Sequence, residues 1–194
     1  MASGDLATLA DALLWLGEDG DDDDIIARLI TACSTSIQWW LGYQVLSANY
    51  NKTFNGNGSR VMLLPERNVS AVTSLTIDDQ PIPRSTSSSM PGFVFDDRTI
   101  YLRGAYVFCR GAQNVQAQYT AGVASVPGGI AQATLDWVKI TYDNLDTLPG
   151  IKSLKAGDSQ IEYGGDTFKV GNTTIMMPSI VAAKLQGYRR VTPT

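Results

Sequence analysis

The chain has 194 residues, 44% hydrophobic and 18% charged, which is enough for a packed core and too apolar for a disordered chain. Its formal net charge is −4, so it lacks the broad basic footprint of a protein that grips phosphates, and tight direct binding of nucleic acid is not expected. It contains no histidine, which removes His-based triads, most catalytic zinc sites and the commonest general base.

Residues 5–16, DLATLADALLWL, place leucines at near-helical spacing, with Ser3 or Asp5 as the expected cap and Gly17 as the stop. From Asp22 onward Ile25, Ile26, Leu29, Ile30, Cys33, Ile37, Trp40 and Leu41 follow i, i+3, i+4, i+7 spacing, which predicts a long amphipathic helix ending near Gly42. Between residues 48 and 121 the texture changes to short β-type runs: YNKTF, RVMLL, VSAVTSLTI, GFVF, TIYL and NVQAQYTA. Turn residues separate them, among them Asn55-Gly56, Asn57-Gly58, Asp78-Asp79 and Asp96-Asp97. Val115, Ala117 and Tyr119 alternate with Gln116, Gln118 and Thr120 as a half-buried strand requires. The serine-rich PRSTSSSMPG, residues 83–92, reads as a mobile loop. Pro127 then opens a third helix over about 128–146 that closes against the first two.

After Pro149-Gly150 few large apolar groups remain. KAGDSQIEYGGDTFKVGNTTI reads as a weak hairpin or extended arm and PSIVAAKLQGYRR as a short terminal helix, a segment that must dock on another surface. The expected class is α+β: a three-helix bundle with an inserted small antiparallel β subdomain and an extended C-terminal arm. The expected parts are 1–47 (N-terminal helices), 48–123 (β subdomain), 124–148 (closing helix) and 149–194 (arm with terminal helix). No long apolar run and no basic N-terminal region are present, so neither a membrane span nor a signal peptide is expected, and the chain should be made and kept in a cytosol. Cys33 and Cys109 stand singly, without C-x-x-C spacing, and are expected as buried thiols.

The acidic run GEDGDDDD suggests a calcium loop, because Asp19, Asp21 and Asp23 fall at the first, third and fifth positions. The pattern then fails: Asp24 stands where the turn needs glycine, and Ile30 where a bidentate glutamate would close the ion shell. Helix capping fits better, with Asp21 or Asp22 accepting from first-turn N–H groups and the other carboxylates favouring the positive end of the helix dipole. Asp96-Asp97-Arg98 could be a carboxylate pair for acid–base work, but a hairpin turn asks for the same residues. Trp39, Trp40 and Trp137 fall on helix faces, where core or interface packing is the expected role. Tyr188-Arg189-Arg190 joins aromatic and guanidinium groups at the chain end, a composition enriched at interface hot spots. No phosphate-binding glycine loop is present.

The order of these parts resembles the head-to-tail connector, or adaptor, proteins of tailed bacteriophages. The resemblance rests on LATLADALLWLG followed by DDDDIIARLITACSTSIQWWLGYQV, then VSAVTSLTIDDQPI, then VQAQYTAGVASVPGGIAQATLDWVKITY, and finally SLKAGDSQIEYGG and PSIVAAKLQGYRR. It implies a non-enzymatic virion protein with no cofactor and no metal, assembled in the host cytoplasm and placed at the head–tail interface. Its copies would form a dodecameric ring under the portal protein, complete the head, and meet a tail, stopper or tail-terminator protein. DNA would pass through the lumen without sequence-specific binding. By the same resemblance Pro178, Ile180, Leu185, Tyr188, Arg189 and Arg190 are candidate contacts to portal or neighbour, and Asp21, Asp22, Asp23 and Asp24 candidate interface or lumen residues. The alternative from the residues themselves is a small β-rich carbohydrate- or receptor-binding module using the tryptophans.

Overall fold

The computed structural model describes residues 4–19, 21–145, 153–156, 159–162, 166–170 and 173–189. The chain forms two compact units, Met1–Val45 with Ser125–Thr194, and Leu46–Ala124. The class is mixed α+β. The first unit contains α1 (Leu9–Leu16), α2 (Asp23–Leu41), α3 (Gly128–Tyr142) and α4 (Ser179–Leu185), and a 3-10 turn at Gln186–Tyr188 follows α4. The expected three-helix bundle is therefore corrected: among the described residues there are four helices, with α1, α2 and α3 packing on one another and α4 on α3. The fourth joins because Val181 and Leu185, one turn apart, are fully buried.

α1 begins later than its leucine spacing suggests. Thr8 is the N-cap, its Oγ1 accepting from Asp11 N–H at 3.0 Å and donating to the Asp11 carboxylate at 2.6 Å, a reciprocal cap. The preceding residues are pinned to α2 instead: Leu6 N–H donates to Ser34 Oγ, Thr31 Oγ1 to Asp5, and Gln38 Nε2 to the Gly4 carbonyl. α2 buries Ile26, Ile30, Cys33, Ile37, Trp40 and Leu41 of its predicted stripe, leaves Leu29 half-buried and Ile25 exposed, and Gly42 ends it in the left-handed conformation at φ 79°. Burial pushes the Cys33 thiol up to about 12. Cys109, by contrast, is exposed, which corrects the expectation of a second buried thiol; it lies in the connection after the β6 strand described below.

In the second unit β1 (Ala48–Gly56), β7 (Gly111–Ala121), β3 (Val69–Ile77) and β4 (Gln80–Pro81) form one antiparallel sheet in that order. β2 (Val61–Leu63), β6 (Thr99–Arg103) and β5 (Gly92–Phe95) form a second. Their core includes Leu64, Leu75, Phe93, Ile100, Phe108, Val115, Ala117 and Tyr119. Asn55-Gly56 is not a turn, as expected, but the end of β1, because β1 pairs with distant β7 rather than with the next strand. A Cβ on Gly56 would stand 1.7 Å from the Cys109 carbonyl oxygen, so glycine is required there for close approach. Asp78-Asp79 does form the tight turn from β3 to β4, both residues at positive φ, 49° and 62°. The serine-rich segment is tied down: Ser85 is buried, its Oγ lies 2.8 Å from the carbonyls of Ser87 and Met90, and its N–H donates to Phe93 O. The expected arm holds two antiparallel hairpins, β8 (Ser153–Ala156) with β9 (Ser159–Glu162), and β10 (Asp166–Val170) with β11 (Thr173–Met177).

One polar group ties the strands of the second unit together. Glu66, between β2 and β3, accepts from Lys52 Nζ on β1 and Tyr119 Oη on β7, and the Tyr119 ring stacks on Tyr50 at 5.5 Å. Burial pushes the Glu66 carboxyl up, but the hydrogen bonds from Lys52 and Tyr119 and the lysine charge outweigh it, and the group titrates below its ordinary 4.5. Its stabilisation is therefore complete above that ordinary value and lost as pH falls through the depressed folded one. Urea denaturation should show Tyr119→Phe less stable by about 1–3 kcal/mol at neutral pH. Glu66→Gln should be weaker at neutral pH than the wild type and lose less of its stability on acidification; equal losses below pH 4.5 would refute the assignment.

Candidate assembly interface

The surface that the sequence points to is built around α2. At its C-terminal end the chain terminus folds back onto it. Pro178 precedes α4, Val181 and Leu185 enter the core, and Lys184 pairs with Asp136 on α3. The following 3-10 turn brings the Tyr188 carbonyl to Tyr43, whose hydroxyl donates to it at 3.1 Å, and sets the Arg189 guanidinium 5.1 Å from the Trp40 ring centroid. Gly129, in the first turn of α3, makes room for the Tyr188 ring; a Cβ there would stand 2.6 Å from the tyrosine hydroxyl. An open groove lined by Thr35, Gln38, Trp39, Gly42, Tyr43 and Gln44 runs beside this docked end.

At the opposite end of α2 stand the aspartates. Asp22 is the N-cap residue by position but makes no side-chain capping bond, which corrects the expected role for it. Its carboxylate accepts instead from the Tyr142 hydroxyl at 2.6 Å, joining the start of α2 to the end of α3, and that bond, followed by burial, pushes the Tyr142 hydroxyl up to about 12. Asp21, Asp23 and Asp24 are exposed, with Asp23 and Asp24 in the first turn, where carboxylates favour the helix dipole. The two groups of candidates are thus held apart by the length of a 19-residue helix, about 28 Å at 1.5 Å per residue.

Within the terminal group Ile180, Tyr188 and Arg189 are exposed and Pro178 is half-buried, whereas Leu185 is fully buried and serves the core. Arg190 lies outside the described residues. Trp40 and Trp137 are buried and Trp39 is 54% exposed. All belong to the helical unit, so the β unit has no tryptophan working face. Asp96 is a turn residue: its Oδ1 accepts from the N–H groups of Arg98 and Thr99 and its Oδ2 from the Tyr101 hydroxyl, and the Arg98 N–H and Tyr101 bonds lead in holding it below the ordinary carboxylate value. Among the described residues no group of three or more His, Cys, Asp and Glu side chains could hold a metal, and no helix is long and apolar enough to cross a membrane.

Sequence reasoning missed two exposed apolar patches. Leu14 is 85% exposed and Trp15 47%, on a helix whose sequence LADALLWL is apolar nearly all round, which was the available signal. On the three-stranded sheet Val61, Leu63 and Tyr101 face outward, as the alternation with buried Met62, Ile100 and Leu102 requires.

The model of the head completion protein family matches residues 6–191, taking in both units and the terminal helix. No curated protein matches the chain. Among solved structures it is similar to a chain in the neck of an empty gene transfer agent particle computed with C6 symmetry, at TM-score 0.61 and 19% identity, covering 97% of this chain and 92% of that one. A chain of the native gene transfer agent virion matches at TM-score 0.61 and 19% identity over 100% and 94% of the two chains. A chain of the native neck computed with C12 symmetry matches at 0.59 and 18%, again over 100% and 94%. At these identities the structural likeness speaks for the fold.

The docked terminus separates two kinds of contact. Leu185→Ala should lower the stability of the helical unit by about 2–5 kcal/mol, through the cavity it leaves. Arg189→Ala, which removes a surface cation–π contact of about 0.5–1 kcal/mol, should speed amide exchange at residues 186–189 and leave the global unfolding midpoint nearly unchanged. Equal effects of the two substitutions would contradict this division.

Proposed function

This chain belongs to the head completion protein family, and from that premise we propose that it is a structural virion protein at the head-to-tail joint. It acts as an adaptor that forms a ring beneath the portal, completes the DNA-filled head and provides the docking surface for the tail. The observation that carries this reading is the span of the family match, residues 6–191, over helical unit, β unit and terminal helix alike. The C6 and C12 symmetries of the neck structures holding similar chains support a ring, which we take as dodecameric. The reading needs no catalytic set, cofactor or metal.

The terminal segment is the proposed portal contact. Ile180, Tyr188 and Arg189 present apolar, aromatic and guanidinium groups at its surface, Pro178 sets the start of α4, and Leu185 anchors the helix from inside. Arg190 continues the same basic end. The net negative charge of the chain lets DNA move through the ring without adhering, and the Asp21–Asp24 cluster is a candidate for the contact between copies. The tail, stopper or tail-terminator protein takes the remaining face of the ring.

Electron microscopy of the protein mixed with its portal should show a ring stacked on the portal; its absence would end the head–tail reading. In the same mixture Ile180→Asp should weaken portal pull-down by about tenfold or more, a loss of about 1.4 kcal/mol, with circular dichroism unchanged. Normal binding would remove the terminal helix from the portal contact. Deleting residues 178–194 is a poorer probe, because it takes Val181 and Leu185 out of the core.

A further inference from the structure

We propose that the acidic, apolar corner between α1 and α2 of one copy seats on the outer face of the β2–β6–β5 sheet of the next copy, and that this head-to-tail contact closes the ring. The inference rests on the ring reading above and names the surfaces that make it. On the first surface Leu14, 85% exposed, Trp15, 47%, and Ile25, 42%, flank the turn at residues 17–22. A helix as evenly apolar as α1 belongs in a covered position. The charge around it is one-sided: residues 1–45 hold Asp5, Asp11, Glu18, Asp19 and Asp21–Asp24 against Arg28 alone. None of Asp19, Asp21, Asp23 and Asp24 enters an ion pair among the described residues.

The second surface has the complementary character. Val61 on β2 stands opposite Tyr101 on β6, and Tyr101 opposite Val94 on β5, so one row of apolar side chains crosses the outer face; Leu63, 59% exposed, lies beside it. Arg60 and Arg103 stand to one side of the row, Arg103 donating to the Ser87 carbonyl at 3.1 Å. On the other side stands Asp96, which accepts from the Tyr101 hydroxyl and two backbone N–H groups and is held in its charged form by them. Positive charge therefore gathers on the Arg60–Arg103 side of an apolar face, and the corner is apolar with uncompensated negative charge. A self-complementary contact of the corner would set aspartates against aspartates. Seating the corner on the arginine side of the face avoids this, and a contact between unlike patches is the kind that propagates around a ring.

The test uses cysteine capture in a Cys109→Ser background, with Trp15→Cys and Leu63→Cys made in separate full-length chains. Both positions are exposed, so neither substitution opens the core. The two proteins are mixed and oxidised at high concentration, and again as the portal-bound complex. The proposal expects disulfide heterodimers in excess of each homodimer by about tenfold, where random pairing of unlike patches gives about twofold. Homodimers, random proportions, or no dimer in either setting would overturn it. So would a chain carrying both cysteines that closes on itself at a rate independent of concentration, which would place the contact within one molecule. A stacked ring that forms without the Trp15–Leu63 link removes this contact and leaves the ring reading standing; no ring at all removes the ring reading itself.

Discussion

The helical unit hangs on one face of α2. The stripe from Ile26 to Leu41 packs α1 and α3, and polar positions on the same helix catch the chain ends: Thr31, Ser34 and Gln38 hold residues 4–6, while Trp40, with Tyr43 just beyond the helix end, holds residues 188–189. These attachments differ in kind. Leu6, Val181 and Leu185 are buried and contribute apolar area, on the order of 1.5–3 kcal/mol for each large side chain. The Arg189–Trp40 contact is a surface contact worth a fraction of that. The terminus is consequently anchored by α4 and only lightly held beyond it.

The β unit solves a different problem with a single carboxylate. Its strands pair across long sequence separations, β1 with β7 above all, so local turns alone cannot set the register. Glu66 reaches β1 through Lys52 and β7 through Tyr119, and the Tyr50–Tyr119 stack lies across the same strand pair. Removing a carboxylate partly from water costs less when donors satisfy its lone pairs, and two donors do so at half-buried Glu66. The geometry defines the pairing of β1 with β7 at the point where that group sits.

Much of this was legible in the sequence where the physics is local. The α2 stripe, the Gly17 and Gly42 stops, the β7 alternation and the Asp78-Asp79 turn all express short-range rules, and each stands where those rules place it. The departures occur where distant residues decide. Residues 5–8 could extend α1, but Ser34 and Thr31 on α2 compete for their polar groups, so the cap falls on Thr8. Asn55-Gly56 has turn composition, yet Cys109 needs a residue without Cβ beside it. Asp22 has a capping side chain, but Tyr142 takes it. For the candidate site, the exposure of Ile180, Tyr188 and Arg189 agrees with their position at the chain end, whereas the burial of Leu185 depends on α3, which no local pattern near residue 185 reveals.

The acidic run then acquires a meaning that capping does not exhaust. One aspartate, Asp22, is engaged within the fold, and a helix dipole of about half a charge is answered by one or two more. The surplus sits beside Leu14 and Trp15, so the same corner is both acidic and apolar. Apolar exposure of that kind favours association, and concentrated like charge prevents it from pairing with itself. Together they restrict the corner to a partner of opposite charge, which is how a surface can stay unassociated with its own kind yet commit to a different face.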